Sequence, residues 1–129
     1  MTQTWTLIIF CYNEDGNIGK VIDKSLDLLK IISPAESEIV IVDDGSKDSS
    51  KIIIQNYKKK HTQLKTVFHP KNLGIGEALI SGYINASMDN ICAIPGDGQF
   101  DLNELIPYKS FPEKSVLSFY RKENTTYSI

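Results

Sequence analysis

The sequence predicts an α/β protein, a mainly parallel, doubly wound sheet with helices on both faces. Three observations predict it. Short apolar runs alternate with longer amphipathic ones along the chain. The apolar runs are continuous, as in strands covered on both faces. The segments between them are long enough to be crossovers, which parallel strands require. A chain of 129 residues suits one domain of ordinary size, here 1–129, and no internal repeat, linker or low-complexity stretch interrupts it.

The first strand is Thr6 to Cys11, an unbroken apolar run. From about Gly16 to Ile32, Ile18, Val21, Ile22, Leu26, Leu29 and Ile32 fall near helical spacing, and Ser33-Pro34 breaks the helix. Glu38 to Val42 is the second strand. Asp43 to Asp48 is a loop in which Asp48 or Ser46 is placed to cap a helix carrying Ile52, Ile53 and Tyr57 on one face. The run Lys58-Lys59-Lys60 sits at the end of that helix, where it complements the helix dipole. Leu64 to Phe68 is the third strand. A loop with Pro70, Asn72 and Gly74 leads to a helix from Gly76 to Met88, whose packing side holds Ala78, Leu79, Gly82, Tyr83 and Ala86. Ile91 to Ile94 is the fourth strand and Pro95 to Gly98 a tight turn. Asp101 to Tyr108 is a short helix with Leu102, Leu105 and Ile106 inward. Ser115 to Phe119 is a fifth strand, and Arg121 to Ile129 is polar and unpatterned.

Composition narrows the function. Hydrophobic residues make up 41% and charged residues 23%, enough for a core and a solvated surface. The net charge of -2 lacks the basic excess of a nucleic-acid binder. Cys11 and Cys92 form no CxxC pair and lie in apolar runs, which reads as buried free thiols in a reducing compartment. The N-terminus lacks the features of a signal peptide, and no stretch reaches the length of a membrane span. The expected location is cytoplasmic.

In an open α/β sheet, ligands bind beyond the carboxyl ends of the strands. The first strand leads to Tyr12, Asn13, Glu14 and Asp15, and the second to Asp43, Asp44, Gly45 and Ser46. The third leads to His69, Lys71 and Asn72, then Gly74 and Gly76. The fourth leads to Asp97 and Gln99, the fifth to Arg121. Gathered on one edge, such residues suit a nucleotide diphosphate. Asp97 is a hard oxygen ligand for Mg²⁺ or Mn²⁺, which bridges phosphates and neutralises leaving-group charge. Lys71 and Arg121 add positive charge near the same phosphates. Asp44 or Asp43 is suited to accept from a base N–H or a ribose hydroxyl, and Tyr12 to lie against the base. Gly74 and Gly76 admit close backbone approach. His69, ahead of Pro70 at a strand end, reads as structural.

These residues resemble the family 2 glycosyltransferases of the GT-A fold, a Rossmann-like architecture. Within them the likeness is to the dolichol-phosphate mannosyltransferase and polyprenyl-phosphate glycosyltransferase branch. Phe10 to Glu14 resembles the family's Pro-Thr-Tyr-Asn-Glu opening, and Val42 to Ser46 with Asp48 its second-strand signature. Asn72 to Ala78 with Gly82 is similar to the third-helix signature, and Pro95 to Gln99 falls where the family keeps Asp-x-Asp-x-Gln. The resemblance implies that Tyr12, Glu14 and Asp44 hold the nucleoside with Asp43 close by. It also implies that Asp97 is the metal ligand with Gln99 beside it, and that Arg121 faces the diphosphate or the acceptor phosphate. It implies transfer with inversion from a UDP- or GDP-sugar to a lipid phosphate or another glycan acceptor. A full-length protein of this kind would work at the cytoplasmic face of the membrane.

Two departures qualify this expectation. Pro95 stands where the family has the first Asp of Asp-x-Asp, so one ligand is missing. The acceptor-side segments are absent, as in a chain truncated at its C-terminus. A nucleotide-binding module without turnover is therefore the alternative function. A phospho-acceptor receiver domain would want an Asp ending the third strand and a Lys after the fifth, where His69 and Arg121 stand instead. A dinucleotide oxidoreductase lacks its G-x-G-x-x-G after the first strand, and there is no P-loop.

Overall fold

The structure, a computed structural model, describes residues 3–110, 112, 115 and 116. Its elements are β1 (Trp5–Cys11), α1 (Ile18–Ile32), β2 (Ser37–Asp43), α2 (Ser50–Lys60), β3 (Leu64–Phe68), α3 (Ile75–Asn85), β4 (Asn90–Pro95) and a 3-10 helix (Leu102–Tyr108). The four strands lie in the order β3-β2-β1-β4, all parallel. The expected α/β architecture is present, with the two longest apolar strands at its centre. The expected fifth strand, Ser115 to Phe119, and Arg121 lie outside the described residues, apart from Ser115 and Val116, which are in no regular element.

The strands separate two cores. Leu7, Ile9 and Cys11 of β1 with Ile39 and Ile41 of β2 point to one face, where α1, Ile54 of α2 and Leu105 of the 3-10 helix cover them. Ile8, Val40 and Val42 point to the other, where Ala78 of α3 meets them with Phe10, Val67 and Ala93 at the margins. Alternation along a strand requires this division. α1 buries all six apolar positions expected of it, and Leu28 as well. Gly82 lets α3 lie close on β1, because a side chain there would run into Ile8.

Several expectations are corrected. On α2 the buried apolar residue is Ile54, beside the buried Ser50, with Ile53 and Tyr57 partly covered, whereas Ile52 is 62% exposed. In a run of three isoleucines the helix turns Ile52 outward when Ile54 enters the core, Ser50 meets the loop after β1 and Tyr57 reaches α1. The N-cap is Ser49 and no side chain caps from that position. Asp48 Oδ1 accepts from the Ser50 amide at 2.9 Å, and Ser46 is engaged elsewhere. α3 ends at Asn85, before Met88, and Tyr83 is exposed because Ala78 and Gly82 alone make the close contact.

At the amino edge of the sheet a buried charge is fully partnered. Glu38, on β2, accepts from Thr6 Oγ1 (2.9 Å), the Ser87 amide (2.9 Å) and Ser87 Oγ (2.7 Å), and pairs with Lys65 Nζ at 2.7 Å. Burial opposes ionisation of this carboxyl, but the hydrogen bonds from Lys65, Ser87 and Thr6 together outweigh it and hold the group below its ordinary range. The cluster ties the chain between α3 and β4 to the two central strands. No helix among the described residues is long and apolar enough to cross a membrane.

Candidate functional site

Parallel strands deliver four loops to one edge, and backbone hydrogen bonds continue past the strand ends to knit them. Asp44 N donates to Cys11 O, Gly96 N to Phe10 O and His69 N to Asp43 O, each at 2.9 Å. The loops after β1 and β2 interlock further. Asn13 adopts φ 53, in the left-handed region that Asn tolerates. Its amide donates to Ser46 Oγ and its Oδ1 accepts from the Lys47 amide, both at 2.8 Å. Glu14 N donates to Ser50 Oγ at 2.9 Å and Asp15 N to Asp48 Oδ2 at 3.1 Å. Tyr12 and Glu14 therefore stand on a loop fixed at each following residue.

These loops enclose a pocket of about 360 Å³. Tyr12, Glu14, Asp44, Asn72, Gly74 and Asp97 supply its polar and aromatic lining, and Phe10, Ile75, Ala78 and Pro95 are among its apolar walls. A concave, largely preformed site with a few convergent polar groups is what a small ligand needs.

Asp44 is the most constrained of these groups, at 5% exposure. Its Oδ1 accepts from the Leu73 amide (2.9 Å) and from His69 Nδ1 (2.8 Å), and its Oδ2 from the Gly74 amide (3.0 Å). An ionised carboxylate only accepts, so the proton of that ring lies on Nδ1. Burial works against the charge of Asp44, but His69 and the Leu73 and Gly74 amides hold its carboxyl below the ordinary range. Gly45, at φ +78, lies against the backbone of Lys71 and Asn72, which leaves no room for a side chain. Asp44 and Gly45 together thus press the segment before α3 onto the end of β2 and set where Asn72 and Gly74 line the pocket.

Asp97 follows β4 in the turn that Gly96 makes possible, since a side chain at Gly96 would crowd Cys11 and Ile18. Its Oδ1 accepts from the Gln99 amide at 3.0 Å. Among the described residues no group of three or more His, Cys, Asp or Glu side chains is placed to hold a metal ion. One hard carboxylate facing a pocket is a sufficient protein contribution only when the ligand supplies further oxygens, as a diphosphate does.

Six sequence-predicted residues are therefore brought together: Tyr12, Glu14, Asp44, Asn72, Gly74 and Asp97. Asp43 is not among them. It is 1% exposed and turned toward the larger core, where Cys11 Sγ lies 3.6 Å from its Oδ1 and the Ser46 amide 3.3 Å from its Oδ2. Lys71 and Gln99 are exposed and outside the lining. The two thiols are free, Cys11 buried and Cys92 half-buried. Burial and the neighbouring Asp43 push the Cys11 thiol far up, and burial pushes Cys92 up to about 11. Sequence reasoning missed the apolar walls and the reach of His69. This histidine reads as structural, and it is, but it also holds a pocket residue, and its place at a strand end was the signal.

The profile of a family described as "Glycosyl transferase family 2" matches residues 6–121. A dolichyl-phosphate beta-glucosyltransferase of Trichomonas vaginalis is 28% identical over 123 residues, covering 92% of this chain and 37% of that protein. The fold matches a mannosyltransferase of Pyrobaculum calidifontis, solved in complex with GDP-Man and Mn²⁺, with a TM-score of 0.64 at 20% identity over 75% of this chain and 28% of the other. It also matches S. aureus TarS in complex with UDP-GlcNAc, with a TM-score of 0.63 at 23% identity over 73% of this chain and 26% of that one. At these identities the structural likeness is one of fold. The chain spans about a third of the length of the curated relatives it matches.

Proposed function

The chain belongs to glycosyl transferase family 2, and on that premise we propose that it forms the donor half of an inverting glycosyltransferase, binding a nucleotide-diphosphate sugar in the pocket at the carboxyl edge of the sheet. Its fold, a parallel Rossmann-like sheet flanked by helices, is shared with GT-A glycosyltransferases. The observation that carries the proposal is the convergence of Tyr12, Glu14, Asp44, Asn72 and Asp97 from four successive loops on one pocket. Tyr12 lies against the base, and Glu14 and Asp44 accept from base or ribose donors. Asn72 and Ile75 bring the start of α3 to the pocket, where the helix dipole and the first-turn amides favour phosphate, the Gly74 amide being already given to Asp44.

A divalent cation, Mg²⁺ or Mn²⁺, would be held by Asp97 together with the donor's own oxygens, and would supply neutralisation of the departing diphosphate. The Mn²⁺ bound with GDP-Man in the P. calidifontis enzyme supports this reading. An acceptor oxygen attacks the anomeric carbon from the face opposite the diphosphate. The bond from that carbon to the diphosphate oxygen breaks, and the electron pair leaves with the nucleotide. A phosphate acceptor is already ionised and has no proton to lose, so the chemistry needs little general-base help. A polyprenyl phosphate is the proposed acceptor, supported by the dolichyl-phosphate relative. Arg121, Lys71 and Gln99 stay as proposed contributors around the diphosphate, whereas Asp43, turned into the core, is not proposed to touch the ligand. The greater length of the relatives leaves room for an acceptor side that the described residues do not form.

Pro95, which offers no metal ligand, favours the second reading of a nucleotide-binding module without turnover. A Mn²⁺-dependent thermal-shift series with UDP-, GDP- and TDP-sugars tests the common ground, and a transfer assay with polyprenyl phosphate separates the two readings. Stabilisation by at least one nucleotide is expected, and its absence across the series would overturn both. Asp97→Ala is expected to lower metal-dependent nucleotide affinity about tenfold or more, judged against the 10–100-fold typical of lost metal-site partners. Unchanged affinity in a titration would remove Asp97 from the metal.

A further inference from the structure

Asp44 is fastened from three directions, and the fastening determines what it has left to offer a ligand. A carboxylate presents about four acceptor directions, two on each oxygen. The Leu73 amide and His69 Nδ1 occupy those of Oδ1, and the Gly74 amide occupies one on Oδ2. Among the described residues a single direction stays open, on a residue that lines the pocket. His69 is itself held in place. Its Nε2 meets Ser81 Oγ at 2.8 Å, so the ring spans from the end of β2 to the middle of α3, and its side chain is 8% exposed. Nε2 accepts from the Ser81 hydroxyl when the ring is neutral and donates to it when the ring is charged. In either state Nδ1 goes on donating to Asp44.

We propose that His69 is a positioning residue that sets the base preference of the pocket: by filling Oδ1 it leaves Asp44 one acceptor, which matches uracil or thymine and not guanine. The inference rests on the reading that the pocket takes a nucleoside diphosphate. Uracil and thymine carry one N–H between two carbonyl groups, so one acceptor satisfies the edge. Guanine carries N1–H and N2–H₂ side by side and needs two. Its second donor would face an oxygen already filled, and an unpaired buried donor is the most selective penalty a site can impose. Cytosine and adenine present a ring nitrogen acceptor at the corresponding place, which a carboxylate repels. Ser81 serves the same end at one remove, since it aims the ring.

The test is a calorimetric titration of the protein with UDP and with GDP in the presence of Mn²⁺, for the wild type, His69→Ala, His69→Asn and Ser81→Ala. The wild type is expected to bind UDP at least about tenfold more tightly than GDP, the usual cost of one unpaired donor. His69→Ala, with Oδ1 released, is expected to lose most of that ratio by weakening UDP and admitting GDP. His69→Asn, whose amide stands in for the ring N–H, restores much of it, and Ser81→Ala falls between. Thermal unfolding of each variant reports whether it folds. If His69→Ala does not, the wild-type ratio and the Asn and Ser81 variants decide. Equal affinity for UDP and GDP in the wild type overturns the proposal, as does an unchanged ratio in folded His69→Ala. Failure of the wild type to bind either nucleotide is a different result: it removes the nucleotide reading itself, and this one with it.

Discussion

Gly45 shows how much of the pocket depends on a residue that does not line it. Its φ of +78 already disfavours any side chain, and the Lys71–Asn72 backbone fills the space one would need. Gly45→Ala should therefore destabilise the fold by about 1–3 kcal/mol, the scale of a strained backbone position. Urea denaturation measures the loss, and the same variant should bind nucleotide more weakly because Asn72 and Gly74 move with the segment. That Asp44 lies at the carboxyl edge of the sheet was legible, since it directly follows a strand in a parallel sheet. What it does there was not. Its partners His69, Leu73 and Gly74 lie 25 to 30 positions along the chain, and no local pattern pairs them. Asp43 illustrates the converse. Two adjacent acids at a strand end point to opposite sides, and the sequence does not say which one faces the pocket.

Among the elements, the strands and α1 were the most legible because their apolar positions are numerous and regular. α2 and α3 were less so. Ile52, Ile53 and Ile54 are chemically equivalent, and the phase of the helix is set by where the laced loop after β2 releases it. Ile54→Ala should cost about 2–5 kcal/mol, the range for emptying a buried position, whereas Ile52→Ala should stay within about 0.5 kcal/mol. Thermal or chemical denaturation of the pair would show the contrast, and equal effects would mean that the helix is turned differently. On α3 the surface next to the sheet is made of Ala78 and Gly82, so a close approach replaces bulky burial. A helix that packs through small residues gives a weak periodic signal, which is why Tyr83 was placed inward and stands 51% exposed.

For the molecule as a whole, polar chemistry is divided between the two edges of the sheet, with the pocket at the carboxyl edge and the Glu38 cluster at the amino edge. Both edges contain a buried carboxyl whose folded pKa is depressed, Asp44 and Glu38. A depressed carboxyl contributes stability that is fully present above its unfolded pKa, about 3.9 for Asp and 4.3 for Glu, and is lost as pH falls through the folded value. The denaturation midpoint should thus hold steady from neutrality down to about pH 5 and fall below about pH 4. Glu38→Gln should reduce that acid sensitivity while lowering the midpoint at neutral pH. A profile in which acid sensitivity survives Glu38→Gln unchanged would mean that Glu38 is not an important source of it.

β1 is hydrogen-bonded to a strand on each side and covered on each face, so nothing short of global opening exposes its amides to water. In deuterium exchange, Leu7, Ile8 and Ile9 should be the slowest amides among the described residues and should report the full free energy of unfolding, whereas β3 and β4, the outer strands of the sheet among the described residues, should exchange sooner. The loop bearing Tyr12 and Glu14 leaves the slowest-exchanging strand directly. Its base is thus anchored in the best-protected strand, while the Asn72 side of the pocket hangs from β3, which lies at the outside of the sheet among the described residues. A ligand bridging the two should slow exchange chiefly on the β3 side.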